Sequence, residues 1–200
     1  MGGCGKSELA LQYAWRQWQN QHYLGGICWL NAFGEDLGLQ ILNFAYFRLG
    51  LTVPLEGVLA ERVAFCWQHW PPGQVLIIID DLRDYGLIES YLPPITETRF
   101  DVIITTRFNY LSYTIKTLNL DLLNPESALD LLRSYVTDRR IDQQQKQAKL
   151  LCRDLGYLPL ALELVARLLR RRKNWTIQQV RARLVEKGLA DSSLHKNPRS

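Results

Sequence analysis

Val75-Leu76-Ile77-Ile78-Ile79-Asp80-Asp81 is an unbroken apolar run closed by two carboxylates. A half-wet antiparallel strand would alternate apolar and polar residues, whereas a continuous run suits a parallel strand covered on both faces. Val102-Ile103-Ile104 repeats the pattern, and Ile27-Cys28-Trp29-Leu30, opening at Gly26, reads as another short buried strand. Helical periods lie between them. Residues 6–20 carry Leu11, Ala14, Trp15 and Trp18 at helical spacing, a stripe expected to face the core. A second helix is expected through Leu39 to Leu49 and a third around Glu56 to Trp70, stopped by Pro71-Pro72-Gly73. Strands alternating with helices imply an α/β fold with a doubly wound parallel sheet.

Beyond Asn124 the β-runs cease and period 3.6 takes over, which predicts a helical subdomain. Asn124 is placed to cap a helix with Pro125 at its first position, and Ala128, Leu131, Leu132, Tyr135 and Val136 share one face. The next helix aligns Ala148, Leu151, Cys152 and Leu155 and stops at Gly156, where a left-handed residue is expected. A third runs from Pro159 with Leu162, Val165, Ala166 and Leu169 on one side. Thr176 and Gln179 form a capping-box pattern for a fourth, ending near Gly188, and the polar last dozen residues are expected to be loose.

Composition narrows the function classes. With 47% hydrophobic and 22% charged residues the chain is globular rather than disordered. Its longest apolar stretch is far shorter than the roughly 18 to 20 residues a membrane span needs, and no signal segment opens it, so it reads as cytoplasmic. Cys4, Cys28, Cys66 and Cys152, with His22, His69 and His195, are too scattered for a zinc site or a disulfide framework and read as reduced structural thiols. The net charge of +4 is concentrated in Arg170-Arg171-Arg172-Lys173 at a helix end, where cations complement the dipole. Without a second basic cluster or interleaved aromatics, this argues against nucleic acid as a partner.

Three short motifs carry chemistry. Gly2-Gly3-Cys4-Gly5-Lys6-Ser7 matches the latter part of G-x-x-x-x-G-K-[ST] directly before a helix. Gly2, Gly3, Cys4 and Gly5 would curl backbone N–H groups around phosphate oxygens, Lys6 would reach the β/γ-phosphates, and Ser7 would offer its hydroxyl to Mg²⁺. The plain structural reading is a flexible tail. Asp80 and Asp81, at a strand's C-terminal end, resemble a Walker B pair: Asp80 to hold Mg²⁺ through water, Asp81 to orient or deprotonate an attacking water. An ordinary turn closing the strand is the alternative. Arg107 ends the strand Ile103-Ile104-Thr105-Thr106 and could fork onto a terminal phosphate, or simply form a surface salt bridge.

The pattern's first glycine would fall before Met1, and the strand that delivers such a loop is not in the sequence. The expectation is therefore of an N-terminally truncated domain, with Met1 an internal residue or the chain a fragment. Loss of that central strand is expected to leave its two neighbours with unpaired main-chain groups and to force a rearrangement.

Taken in order, Met1-Gly2-Gly3-Cys4-Gly5-Lys6-Ser7, Leu76-Ile77-Ile78-Ile79-Asp80-Asp81-Leu82, Ile103-Ile104-Thr105-Thr106-Arg107 and Gly156-Tyr157-Leu158-Pro159-Leu160-Ala161-Leu162 resemble the NB-ARC family of STAND nucleotide switches. The resemblance runs from the start to about Leu169, with Tyr157 standing where leucine is usual. It implies a P-loop NTPase-type sheet lacking its first strand, followed by an α-helical lid. It also implies ADP held between the two and exchanged for ATP, with homo-oligomerisation of the full-length protein in the ATP state. Pro159 would lie against the adenine and Arg107 near the γ-phosphate. Adenine is preferred to guanine because no N-K-x-D sequence occurs. The implied divisions are 1–122 for the incomplete nucleotide-binding α/β domain and 123–173 for the helical lid. Residues 174–200 would be a helix and polar tail leading towards a winged-helix domain. The expected function is an ADP/ATP-binding regulatory switch with Mg²⁺ and slow or no hydrolysis. A degenerate fragment serving as a non-nucleotide-binding interaction module is the alternative, and a steadily hydrolysing motor a third reading.

Overall fold

The computed structural model describes residues 2–34, 36–108, 111–112 and 115–187. Met1, Gly188, His195 and the tail assigned to the last dozen residues lie outside them. The described residues form two compact units, one spanning Lys6–Asn119, the other made of residues 2–5 with 120–187.

In the first unit, helix α1 (Lys6–Gln19) precedes strand β1 (Gly26–Asn31), helices α2 (Leu37–Leu49) and α3 (Leu59–Gln68), strand β2 (Val75–Leu82) and strand β3 (Phe100–Thr106). The three strands are parallel in the order β1-β2-β3. Central β2 explains the apolar run. Leu76 and Ile78 meet Ala10 and Ala14 of α1 on one face, while Val75, Ile77 and Ile79 join Ile41, Ala45, Val63 and Cys66 of α2 and α3 on the other. Full burial of each such side chain contributes on the order of 1.5 to 3 kcal/mol. Helices on both faces of a parallel sheet are the expected α/β arrangement.

Four expectations need correction. The strands expected to be left with unpaired main-chain groups instead pair directly with each other, Val75 opposite Phe100 through Ile79 opposite Ile104, which is the form the expected rearrangement takes. β3 is thereby an edge strand and is not covered on both faces: Asp101 and Val102 are exposed and Thr105 is its buried residue. The stripe assigned to the core of α1 is also misplaced. Of Leu11, Ala14, Trp15 and Trp18, Ala14 alone is buried, while Trp15 and Trp18 are 56% and 62% exposed. Small Ala10 and Ala14 let the helix lie close on the sheet, and the neighbouring large stripe points outward. Helix α3 is also shorter than Glu56 to Trp70, because residues 56–58 stay extended or bent before Leu59.

The second unit holds helices α4 (Pro125–Tyr135), α5 (Arg140–Gln143), α6 (Gln145–Asp154), α7 (Pro159–Arg171) and α8 (Ile177–Lys187). Asn124 caps α4 by accepting from Ser127 N–H at 2.8 Å. Gly156 is left-handed at φ 60°, and its N–H donates to Arg153 O while that of Tyr157 donates to Cys152 O, the paired bonds of a Schellman stop. Thr176 and Gln179 close the expected capping box, with bonds of 2.8 and 3.2 Å. Ala128, Leu132, Leu151, Cys152, Leu162, Val165, Ala166 and Leu169 share one core. Short α5 was not foreseen. It positions Arg140, a buried arginine that donates to the carbonyl of Leu169 in the last turn of α7 and to those of Arg172 and Trp175 after it.

Candidate functional site

The register of β2 against β3 slips between Ile79 and Leu82, so that the Asp80-Asp81 step carries one residue more than its partner strand. This is a β-bulge, a device that re-aims side chains at a strand end. Asp81 adopts φ 54°, a left-handed conformation that aspartate tolerates better than most side chains. Across the bulge, the Thr105 hydroxyl donates to Asp80 Oδ1 at 2.5 Å and accepts the Asp81 N–H at 2.9 Å. Thr106 Oγ1 donates to Leu82 O at 2.8 Å and accepts Phe108 N–H at 3.1 Å, turning the chain away from the sheet.

The same Asp80 oxygen accepts the Ser7 hydroxyl at 2.7 Å. Ser7 is the second residue of α1, whose first four N–H groups have no acceptor within the helix. The structure thus brings together the hydroxyl and the carboxylate expected to serve one cation, at a helix N-terminus suited to an anion. Among the described residues there is no cluster of three or more His, Cys, Asp or Glu side chains able to enclose a metal ion. A hydroxyl with one carboxylate suits a hard cation that takes its remaining ligands from phosphate and water.

Asp81 lies between two arginines. Arg107 Nε stands 3.6 Å from its Oδ1 and Arg83 Nη2 3.8 Å from its Oδ2, distances of ionic rather than hydrogen-bonded contact. Both guanidiniums are more than half exposed, so these pairs contribute little to stability. Arg83 is also stacked over Phe33, 3.8 Å from the ring centroid. Sequence reasoning named Arg107 but missed Arg83 and Thr105. The signal for Thr105 was a hydroxyl ending an apolar strand; Arg83, two residues past the aspartate pair, gave none.

Gly2, Gly3, Cys4 and Gly5 belong to the second unit, with Pro159. Gly3 has φ +75°, and a Cβ there would meet Leu160 Cβ at 3.3 Å; its carbonyl accepts Leu160 N–H at 3.2 Å. The glycine segment is therefore laid against the first turn of α7, which Pro159 opens as its first residue. Gly5, at φ +95°, turns the chain into α1, which begins at Lys6.

A hydroxyl and an aspartate joined at the C-terminal end of a parallel sheet, following a glycine-lysine-serine turn, define a P-loop type of nucleotide-binding protein. Residues 1–142 match the NB-ARC domain model, and the chain belongs to the NB-ARC family, a family of nucleotide-binding domains. It is similar to the regulatory protein AfsR of Streptomyces griseus, with 25% identity over 93% of this chain and 19% of that protein. It is also similar to AfsR of Streptomyces coelicolor, with 27% identity over 64% of this chain and 13% of the relative. The chain thus spans about a fifth or less of the length of these relatives.

Proposed function

We propose that the chain is the ADP/ATP-binding switch of a regulatory protein, with slow or no hydrolysis. The carrying observation is the hydrogen-bonded set Ser7, Asp80 and Thr105, which joins the start of α1 to the ends of β2 and β3. In this reading the N–H groups of Gly2, Gly3, Cys4 and Gly5 surround phosphate oxygens and Lys6 neutralises the β/γ-phosphates. Ser7 and Asp80 would hold Mg²⁺, which when bound would draw charge from the phosphates. Thr105 keeps the Asp80 carboxylate turned towards Ser7. Asp81 would orient a water and Arg107 would contact the terminal phosphate, with Arg83 as a second cation at the same carboxylate. Pro159 keeps its assignment to the adenine ring from the motif.

Support for a regulatory role comes from the family and from the AfsR relatives, which are regulatory proteins by name. ATP-dependent homo-oligomerisation of the full-length protein in the cytoplasm belongs to the same proposal. A fluorescent ADP titrated with Mg²⁺ or with EDTA separates the readings. The switch requires Mg²⁺-dependent affinity that falls roughly tenfold to a hundredfold in Asp80→Asn, and ATP turnover far below about 1 s⁻¹. Absence of binding under every condition would favour the non-nucleotide-binding interaction module, and steady turnover a motor.

A further inference from the structure

Helix α2 presents one stripe of side chains to the outer edge of the sheet. Gln40, Asn43, Phe44, Phe47 and Arg48, with Trp29 and Leu30 of β1, line a groove of about 440 Å³. β1 is an end strand, paired on one side with β2. Along such a strand the main-chain groups of successive residues point alternately towards and away from the partner. Ala32 N–H turns inward to Asp80 O at 2.8 Å. Asn31 turns outward, its N–H donating to Gln40 Oε1 at 2.9 Å and its carbonyl accepting from Gln40 Nε2 at 2.7 Å. By the same alternation Ile27 and Trp29 turn their N–H and C=O outward. Among the described residues, no group beyond the β1/β2 ladder bonds them.

Gln40 reveals what this edge accepts. Its primary amide has the donor and acceptor of a peptide group, and it already makes with Asn31 the pair of bonds that a neighbouring strand would make. It closes the edge at Asn31 and leaves Ile27 and Trp29 open. From Gln40 to Arg48 the stripe runs about 12 Å at roughly 1.5 Å per residue, the length of about four extended residues at 3.3 Å each. Because α2 returns from the Asn31 end of β1, Arg48 lies towards the other end of the groove. It forms no ion pair among the described residues.

We propose that this groove binds an extended acidic peptide, which adds to β1 as a further strand through the main chain of Ile27 and Trp29. The peptide places an apolar side chain over Phe44 and Phe47 and a carboxylate beside Arg48. Main-chain bonds supply affinity and the two side-chain positions supply selectivity, as in other strand-addition sites. A second copy of this edge fits less well, because the lining residues include a cation and no acid. Two identical grooves would bring Arg48 no counter-charge.

The probes are end-blocked, fluorescein-labelled Thr-Val-Thr-Val-Glu and its reverse, Glu-Val-Thr-Val-Thr, read by anisotropy with the whole chain. At least one is expected to saturate below about 1 mM and to lose binding when alternate backbone nitrogens are methylated. Arg48→Glu, an exposed position whose variant folding is checked by circular dichroism, is expected to weaken the acidic peptide about fivefold and to accept a version with lysine in place of glutamate. Equal binding of the methylated peptide, indifference to Arg48→Glu, or no saturation of either peptide would overturn the proposal. So would a concentration-dependent dimer lost in Arg48→Glu, which would assign the edge to a second copy.

Discussion

At Asp80 one carboxylate oxygen accepts two hydroxyls, and Thr105 repays its bond by accepting the Asp81 N–H. Thr105 is 5% exposed, so Thr105→Val keeps the shape but strands a partly buried N–H. A loss of about 1 to 3 kcal/mol in urea denaturation is expected, and a much smaller one in Thr105→Ser, which keeps the hydroxyl. Gly3 and Gly5 both have positive φ, but Gly3 also touches Leu160. Gly3→Ala should therefore lower the melting temperature more than Gly5→Ala. Burial pushes the Cys152 thiol up to about 11 and raises Cys28 and Cys66 as well. These three should resist iodoacetamide at neutral pH until the chain unfolds, as counted by mass spectrometry. Ser7, Asp80 and Arg107 were legible as candidates because motif spacing places them at a helix start and at strand ends. Thr105 and Arg83 were not, because their geometry depends on a bulge that no local residue pattern announces.

Among the elements, hydrophobic period located the helices and strands but did not always say which stripe was buried. In α1 two adjacent stripes compete, and packing distance favours the small one of Ala10 and Ala14 over Leu11, Trp15 and Trp18. Caps were more legible, since Asn124, Gly156 and Thr176 act through bonds within a few residues of themselves. The stop of α7 is different. It relies on Arg140, which comes before that helix in sequence and is bonded to the Leu169 carbonyl in its last turn, to the Arg172 and Trp175 carbonyls beyond it, and to Asp138. Arg140→Met should destabilise the helical unit by about 2 to 4 kcal/mol in thermal denaturation. Arg140 holds the Asp138 carboxyl below the usual range. A carboxylate depressed in the folded state stabilises above its unfolded pKa, so this contribution is present at neutral pH and is lost on acidification below about 4. Asp138→Asn should flatten that acid limb of the stability profile.

For the molecule as a whole, the parallel α/β class followed from β2, whose even and odd residues are both covered, and the helical unit followed from the change of period after Asn124. Strand order did not follow. The direct pairing of β2 with β3 is a long-range choice, driven by the need to satisfy main-chain groups, and nothing within either strand specifies it. No helix among the described residues is long and apolar enough to cross a membrane. In the proposed site the segment from Gly2 to Ser7 holds the phosphates of an adenine nucleotide, and Ser7 with Asp80 holds their Mg²⁺. Calorimetric titration of the chain with ADP and Mg²⁺, beside Lys6→Ala, tests it most directly. Saturable binding of one ADP per chain is expected, weakened at least about tenfold in the variant by loss of a charged phosphate contact. Equal affinity in the two proteins would contradict it.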